Sequence, residues 1–98
     1  MDNIQWTFIP DTNNSYLILN DGRVFSRKLC DYLKLETNVN GFYRVFIKKN
    51  NDVKRKHYTI YKLLQESFPE SLEHEEYYLN KNFIEYRKML LKELNNNE

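Results

Sequence analysis

Few side chains in this sequence have the type and spacing needed to make or break bonds. His57 follows Arg55 in "KRKHYTI", and His74 sits between Glu73 and Glu75 in "ESLEHEEYY". A histidine can take a proton from water beside a divalent metal, provided that neighbouring groups hold the ligands rigidly. Glu73, His74 and Asn95 are the residues from which such a centre would be assembled. Asn95 falls in a polar tail beyond the last apolar periodicity, where a rigid ligand is out of place. His74 therefore reads as an exposed helix or loop residue, and no catalytic residue, metal ligand or cofactor is assigned. Cys30 is the only cysteine. It leaves no disulfide framework and no Cys-rich metal site, and reads as a small packed or half-exposed thiol.

Cations interleaved with aromatic rings offer a different chemistry. In "GFYRVFIKK", strand alternation puts Phe42, Arg44, Phe46 and Lys48 on one face and Tyr43, Val45 and Ile47 on the other. The second face is the core candidate. The first mixes basic and aromatic groups as a surface for a polyanion does. Lys49 extends this basic run, "KRKH" adds Arg55, Lys56 and His57, and the segment "GRVFSRK" adds Arg23, Arg27 and Lys28. His57 reads as a phosphate-facing side chain rather than a base. The competing reading buries Phe42 and Phe46 under a later helix and leaves the cations as a solvated rim.

These residues must be positioned by one small domain. The chain has 98 residues, 15% of them aromatic, with 2 Gly and 2 Pro. That is enough for a single core built mostly from regular elements. No apolar run reaches membrane-spanning length, and Asp2 near the start argues against a secretory signal. A reducing, intracellular setting is the expectation. Residues 1–62 hold eleven Lys and Arg against six Asp and Glu, whereas residues 63–98 hold four against eight, so a net charge of +1 hides a basic and an acidic part. The abundance of Asn, Lys, Ile and Tyr fits an AT-rich source such as a phage, another mobile element or a large DNA virus.

Along the chain, Trp6, Phe8 and Ile9 precede a Pro–Asp–Thr–Asn–Asn turn. Two short apolar runs, 15–19 and 23–26, flank Asn20–Asp21–Gly22, whose backbone freedom predicts a hairpin. "YLKLE" at 32–36 is a further extended segment. "FYRVFIKK" and "KRKHYTI" form strands about the turn Asn50–Asn51–Asp52. The period then changes: from Ile60 the apolar residues fall at Leu63, Leu64 and Phe68. This predicts a short helix over 62–68, stopped before Pro69. A longer amphipathic helix runs from Asn80 to Leu94, within 77–95, with a stripe of Leu79, Phe83, Tyr86, Leu90 and Leu94, widened by Ile84 and Leu91. The following "NNNE" reads as a frayed end. The fold class is α+β: a small antiparallel sheet of three to four strands, a short helix and a longer one, in a single domain over 1–98.

The order of these signals resembles the NUMOD-type (fourth-class) nuclease-associated modular domain of HNH homing endonucleases. Trp6, Ile9–Pro10 and Tyr16 come first. "LNDGRVFS", Leu33–Lys34, "NGFYRVFIKKN" and "YTIYKLLQESF" follow, covering residues 6–68. The departures are as informative. Where the family has His before Arg-Leu-Val, this chain has Tyr61 before Lys62, Leu63 and Leu64. Where the family continues into Asp-Gly and the first limb of the nuclease site, this chain reads "PESLEHEEYYLNKN".

The resemblance implies a recognition module kept without its cutter. The expected function is non-enzymatic binding of double-stranded DNA by Arg23, Arg27, Lys28, Phe42, Arg44, Phe46, Lys48, Lys49, Arg55, Lys56 and His57. A strand ribbon is narrow enough for the major groove, with most cations on phosphates. One alternative is a protein-interaction or dimerisation module of a viral or mobile-element factor, using the stripe on the last helix. A second is weak, metal-dependent HNH-type nuclease activity. Neither a membrane nor a small-molecule substrate is expected.

Overall fold

The computed structural model describes residues 3–96; Met1, Asp2, Asn97 and Glu98, two of them in the polar "NNNE", lie outside the described residues. Its elements in chain order are β1 (Trp6–Phe8), β2 (Tyr16–Leu19), β3 (Val24–Ser26), β4 (Asp31–Tyr32), β5 (Glu36–Thr37), β6 (Tyr43–Ile47), β7 (Lys56–Thr59), α1 (Ile60–Ser67) and α2 (Lys81–Asn96). The class is α+β, with antiparallel pairing throughout.

The change of rhythm at Ile60 is a continuous passage from β7 into α1. Thr59 is the N-cap, and its side chain accepts the Lys62 N–H at 3.2 Å, satisfying a donor the first turn would otherwise leave orphaned. The helix therefore starts at Ile60, two residues before the sequence expectation. Ile60, Leu63 and Leu64 are fully buried. They meet Ile9, Ile18 and Val24 from one direction and Val45 and Ile47 from another.

Two sheets, rather than one, close over this helix. The first has the order β1-β2-β3-β4 and the second β5-β6-β7. The break falls inside "YLKLE", which the sequence offered as one extended run. Tyr32 pairs with Phe25 in the first sheet, while Glu36 pairs with Arg44 in the second. Between them Leu33 and Leu35 turn towards the core. Each sheet buries its apolar face against α1, and sharing this helix as a common floor ties the two together. As alternation predicts, Val45 and Ile47 are buried, Tyr43 packs against the core, and Phe46 on the other face is exposed.

After α1 the acidic stretch forms two short 3-10 turns, Pro69–Glu73 and Glu75–Tyr77. Leu79 then bridges Phe42 and is buried, so it belongs to the core and not to the apolar stripe of the last helix. α2 itself contributes no buried residue. Phe83 sits where a Cβ on Gly41 would be, and Gly41 has φ +85°, a conformation that glycine alone adopts without strain. Beyond this anchor α2 extends away from the sheets. The radius of gyration of 15.6 Å accordingly exceeds the roughly 13 Å of a compact chain of this length.

The β6–β7 hairpin is fastened by one carboxylate. Asp52 accepts hydrogen bonds from the Tyr58 hydroxyl at 2.6 Å and from the Lys49 N–H at 2.9 Å, with Lys56 Nζ at 3.3 Å. The Tyr58 hydrogen bond, first of all, holds the Asp52 carboxyl below its ordinary range, and burial pushes the Tyr58 hydroxyl up. A carboxyl depressed in the fold stabilises it above the unfolded-state pKa, and that contribution disappears as pH falls through the folded value. Asp52→Asn should therefore lower the thermal midpoint at neutral pH. It should also flatten the loss of stability below about pH 4, measured by circular dichroism melts from pH 7 to pH 3. An unchanged pH profile would remove Asp52 from this role.

Candidate nucleic-acid interface

The outer face of β6 presents the side chains that alternation placed there, but the structure gives them different fates. Arg44 stands opposite both Glu36 and Thr59, and Phe46 stands opposite His57. Glu36 faces both side chains, with Oε2 3.0 Å from His57 Nε2 and 3.7 Å from Arg44 Nε. Arg44 Nε is buried and has no hydrogen-bond partner, since 3.7 Å is too long for one. Arg44 and His57 thus lie beside an anion of their own fold. Phe46 is 48% exposed, its ring 4.9 Å from the His57 ring.

Further along the same face stand Lys48 and Arg55. The end of the β2–β3 hairpin faces them, bringing Tyr16, Lys28 and Leu29, with Leu33 from the crossover. These residues line a cleft of about 400 Å³ between the two sheets, floored by Tyr16, Leu33 and Phe46. Lys28, Lys48 and Arg55 have no carboxylate partner among the described residues. Their positive charge is uncompensated where it converges, over an apolar floor. Arg27 borders a neighbouring hollow that shares Ser15 and Lys28 with the cleft. A phosphate backbone following these cations would meet three or four of them, while Phe46 offers a ring to sugar or base.

The remaining candidates are placed elsewhere. Lys49 and Lys56 both lie over the Tyr58 ring, within 6 Å of its centre, and pair with Glu66 at 3.5 Å and Asp52 at 3.3 Å. They brace the hairpin. Phe42 stacks on Tyr78 at 6.2 Å and meets Tyr61 edge-on at 6.1 Å, so it is a packing residue. Arg23 is tied to Asp21 at 2.9 Å and lies over the Tyr32 ring, on the outer face of the first sheet. His74 pairs with Glu76 at 3.5 Å and lies against the Tyr77 ring. Among the described residues no group of three or more His, Cys, Asp or Glu is placed to hold a metal ion. On α2, Phe83, Tyr86, Leu90 and Leu94 are exposed, together with Met89 and Leu91.

Tyr16, Leu29, Leu33 and Glu36 were not among the sequence candidates. Glu36 had no local signal that sets it apart from the other acids of the basic half. The other three become site residues through the fold of one sheet against the other.

No family model matches the chain, and no curated protein matches it. Among solved structures it is similar to one of DNA binding and cleavage by the HNH homing endonuclease I-HmuI. The TM-score is 0.58 at 26% sequence identity, over 65% of this chain and 36% of that one. The chain thus spans little more than a third of the length of that enzyme's chain, and over about two-thirds of its own length its fold is HNH-endonuclease-like.

Proposed function

We propose that this chain is a non-enzymatic module that binds double-stranded DNA, of the NUMOD type that its sequence resembles. The observation that carries this reading is the convergence of Lys28, Lys48 and Arg55, none with a carboxylate partner among the described residues, on one cleft beside the exposed Phe46. The similarity to a DNA-binding endonuclease supports it. Lys and Arg contact phosphates and fix the register, and Arg44 joins them only when Glu36 releases it. The segment after α1, two short turns with His74 turned to Glu76 and Tyr77, supports the absence of a cutting centre. An exposed thiol at Cys30 suits a reducing, intracellular setting.

A second reading rests on α2. Its exposed stripe of Phe83, Tyr86, Leu90 and Leu94 favours self-association through helix pairing. Light scattering over a hundredfold concentration range distinguishes the readings, because a strict monomer removes the second.

For the first reading, the double variant Lys48→Ala, Arg55→Ala should weaken duplex binding. It should also reduce the slope of log affinity against log salt by about two, since two fewer counterions are released. Glu36→Gln should act in the opposite direction, tightening binding at low salt about twofold to fivefold by freeing Arg44. Mobility shifts with random duplex DNA measure both. Equal binding by all three proteins would take the cleft out of consideration. Supercoiled plasmid with Mg²⁺ or Mn²⁺ should remain intact. Nicking that disappears in His74→Ala would restore the nuclease alternative.

A further inference from the structure

The first sheet has an outer face, away from α1, on which Leu19 is buried and Phe8, Leu17 and Phe25 are half-buried. Cross-strand pairing sets Phe8 opposite Leu17, Leu17 opposite Phe25, and Phe25 opposite Tyr32, so these four residues form a row across β1, β2, β3 and β4. Trp6 stands beside it, pairing with Leu19. The neighbouring positions Ile18 and Val24 point the other way, into the core above α1. None of Trp6, Phe8, Leu17, Phe25 or Tyr32 belongs to the core cluster or packs against it. Trp6 is 55% and Tyr32 45% exposed.

Two arginines are laid on this row. The Arg27 guanidinium lies 5.9 Å from the Phe8 ring and that of Arg23 4.9 Å from the Tyr32 ring, one near each end. The rings also order one another: Trp6 meets Phe8 edge-on at 5.3 Å, and Phe25 meets Tyr32 edge-on at 5.4 Å. Arg27 has no carboxylate partner among the described residues; its Nη1 donates to the Asn14 carbonyl.

We infer that this face is a second nucleic-acid surface, one that takes unpaired bases by stacking. Duplex DNA keeps its base faces inside its own stack, so flat rings and guanidinium planes find partners only on a single strand. The row spans three inter-strand gaps, roughly 14 Å, the width over which four-stranded sheets elsewhere stack two or three bases. Arg23 at one end is paired with Asp21, but Arg27 at the other has no carboxylate partner among the described residues and is free to meet a phosphate of the strand, which favours a nucleic acid over an apolar protein segment. Arg27 also borders the hollow beside the inter-sheet cleft, whereas Trp6, Phe8, Phe25 and Tyr32 line neither, so either surface can fail without the other.

Trp6 is the only tryptophan in the sequence, so it reports on this face directly. Titrating the full chain with a dT12 oligonucleotide should quench Trp6 fluorescence in a saturable manner. The dA12·dT12 duplex should leave the emission nearly unchanged, even where a mobility shift shows it bound. Tyr32→Ala, at an exposed position, should weaken dT12 binding about tenfold, and Arg27→Gln should weaken it severalfold, both with wild-type circular dichroism. Absence of quenching by dT12 overturns the inference. Equal quenching by the duplex also does so, assigning the row to duplex contact. A blue shift that grows with protein concentration alone overturns it as well, assigning the row to a protein interface.

Discussion

Two separate sheets are held together because Ile60, Leu63 and Leu64 of α1 are buried beneath both. Each such side chain is worth about 1.5–3 kcal/mol when fully removed from water. The whole arrangement follows from Thr59, where strand alternation gives way to helical spacing. Had β7 continued as a strand, those apolar residues would alternate between core and solvent. With α1 in place, the end of the β2–β3 hairpin and the outer face of β6 meet across a cleft. The opening through which a phosphate backbone could pass is thus a consequence of hydrophobic burial on the other side of the molecule.

Charge is then sorted by its partners. A net charge of +1 says little about a surface on which some cations are neutralised internally and others are not. Glu36, Asp52, Glu66 and Asp21 each hold a neighbouring cation. What remains free in the cleft is Lys28, Lys48 and Arg55. Glu36 stands between Arg44 and His57, so on the proposed reading it would withhold both from an incoming polyanion. The same logic separates the faces of β6–β7: Lys49 and Lys56 strengthen the hairpin from which Lys48 and Arg55 project.

Much of this was legible in the sequence where the physics is local. The alternation of Tyr43 to Ile47 identified the buried face, Asn20–Asp21–Gly22 identified a hairpin, and the spacing of Leu63, Leu64 and Phe68 identified α1. The division into two sheets was not legible, because the turn of Leu33 and Leu35 towards the core depends on partners far along the chain. Leu79 illustrates the same limit. It continues the helical stripe in sequence, yet its bridge to Phe42 places it in the core. Of the site, the outward direction of Phe46 and Lys48 was readable from periodicity. The pairing of His57 with Glu36, 21 residues apart, was not, nor was the convergence of Lys28 on a strand twenty residues downstream. Phe42 has the correct face but sits at the end of β6 nearest Tyr61 and Tyr78, whose rings claim it.

The central claim is that three uncompensated cations at the cleft grip duplex DNA. A mobility shift of the unaltered chain with random duplex, titrated with salt, tests it most directly. Binding should be clear at low salt, and log affinity should fall with log salt at a slope of about −3, one counterion for each of Lys28, Lys48 and Arg55. No binding at low salt, or an affinity indifferent to salt, would contradict it.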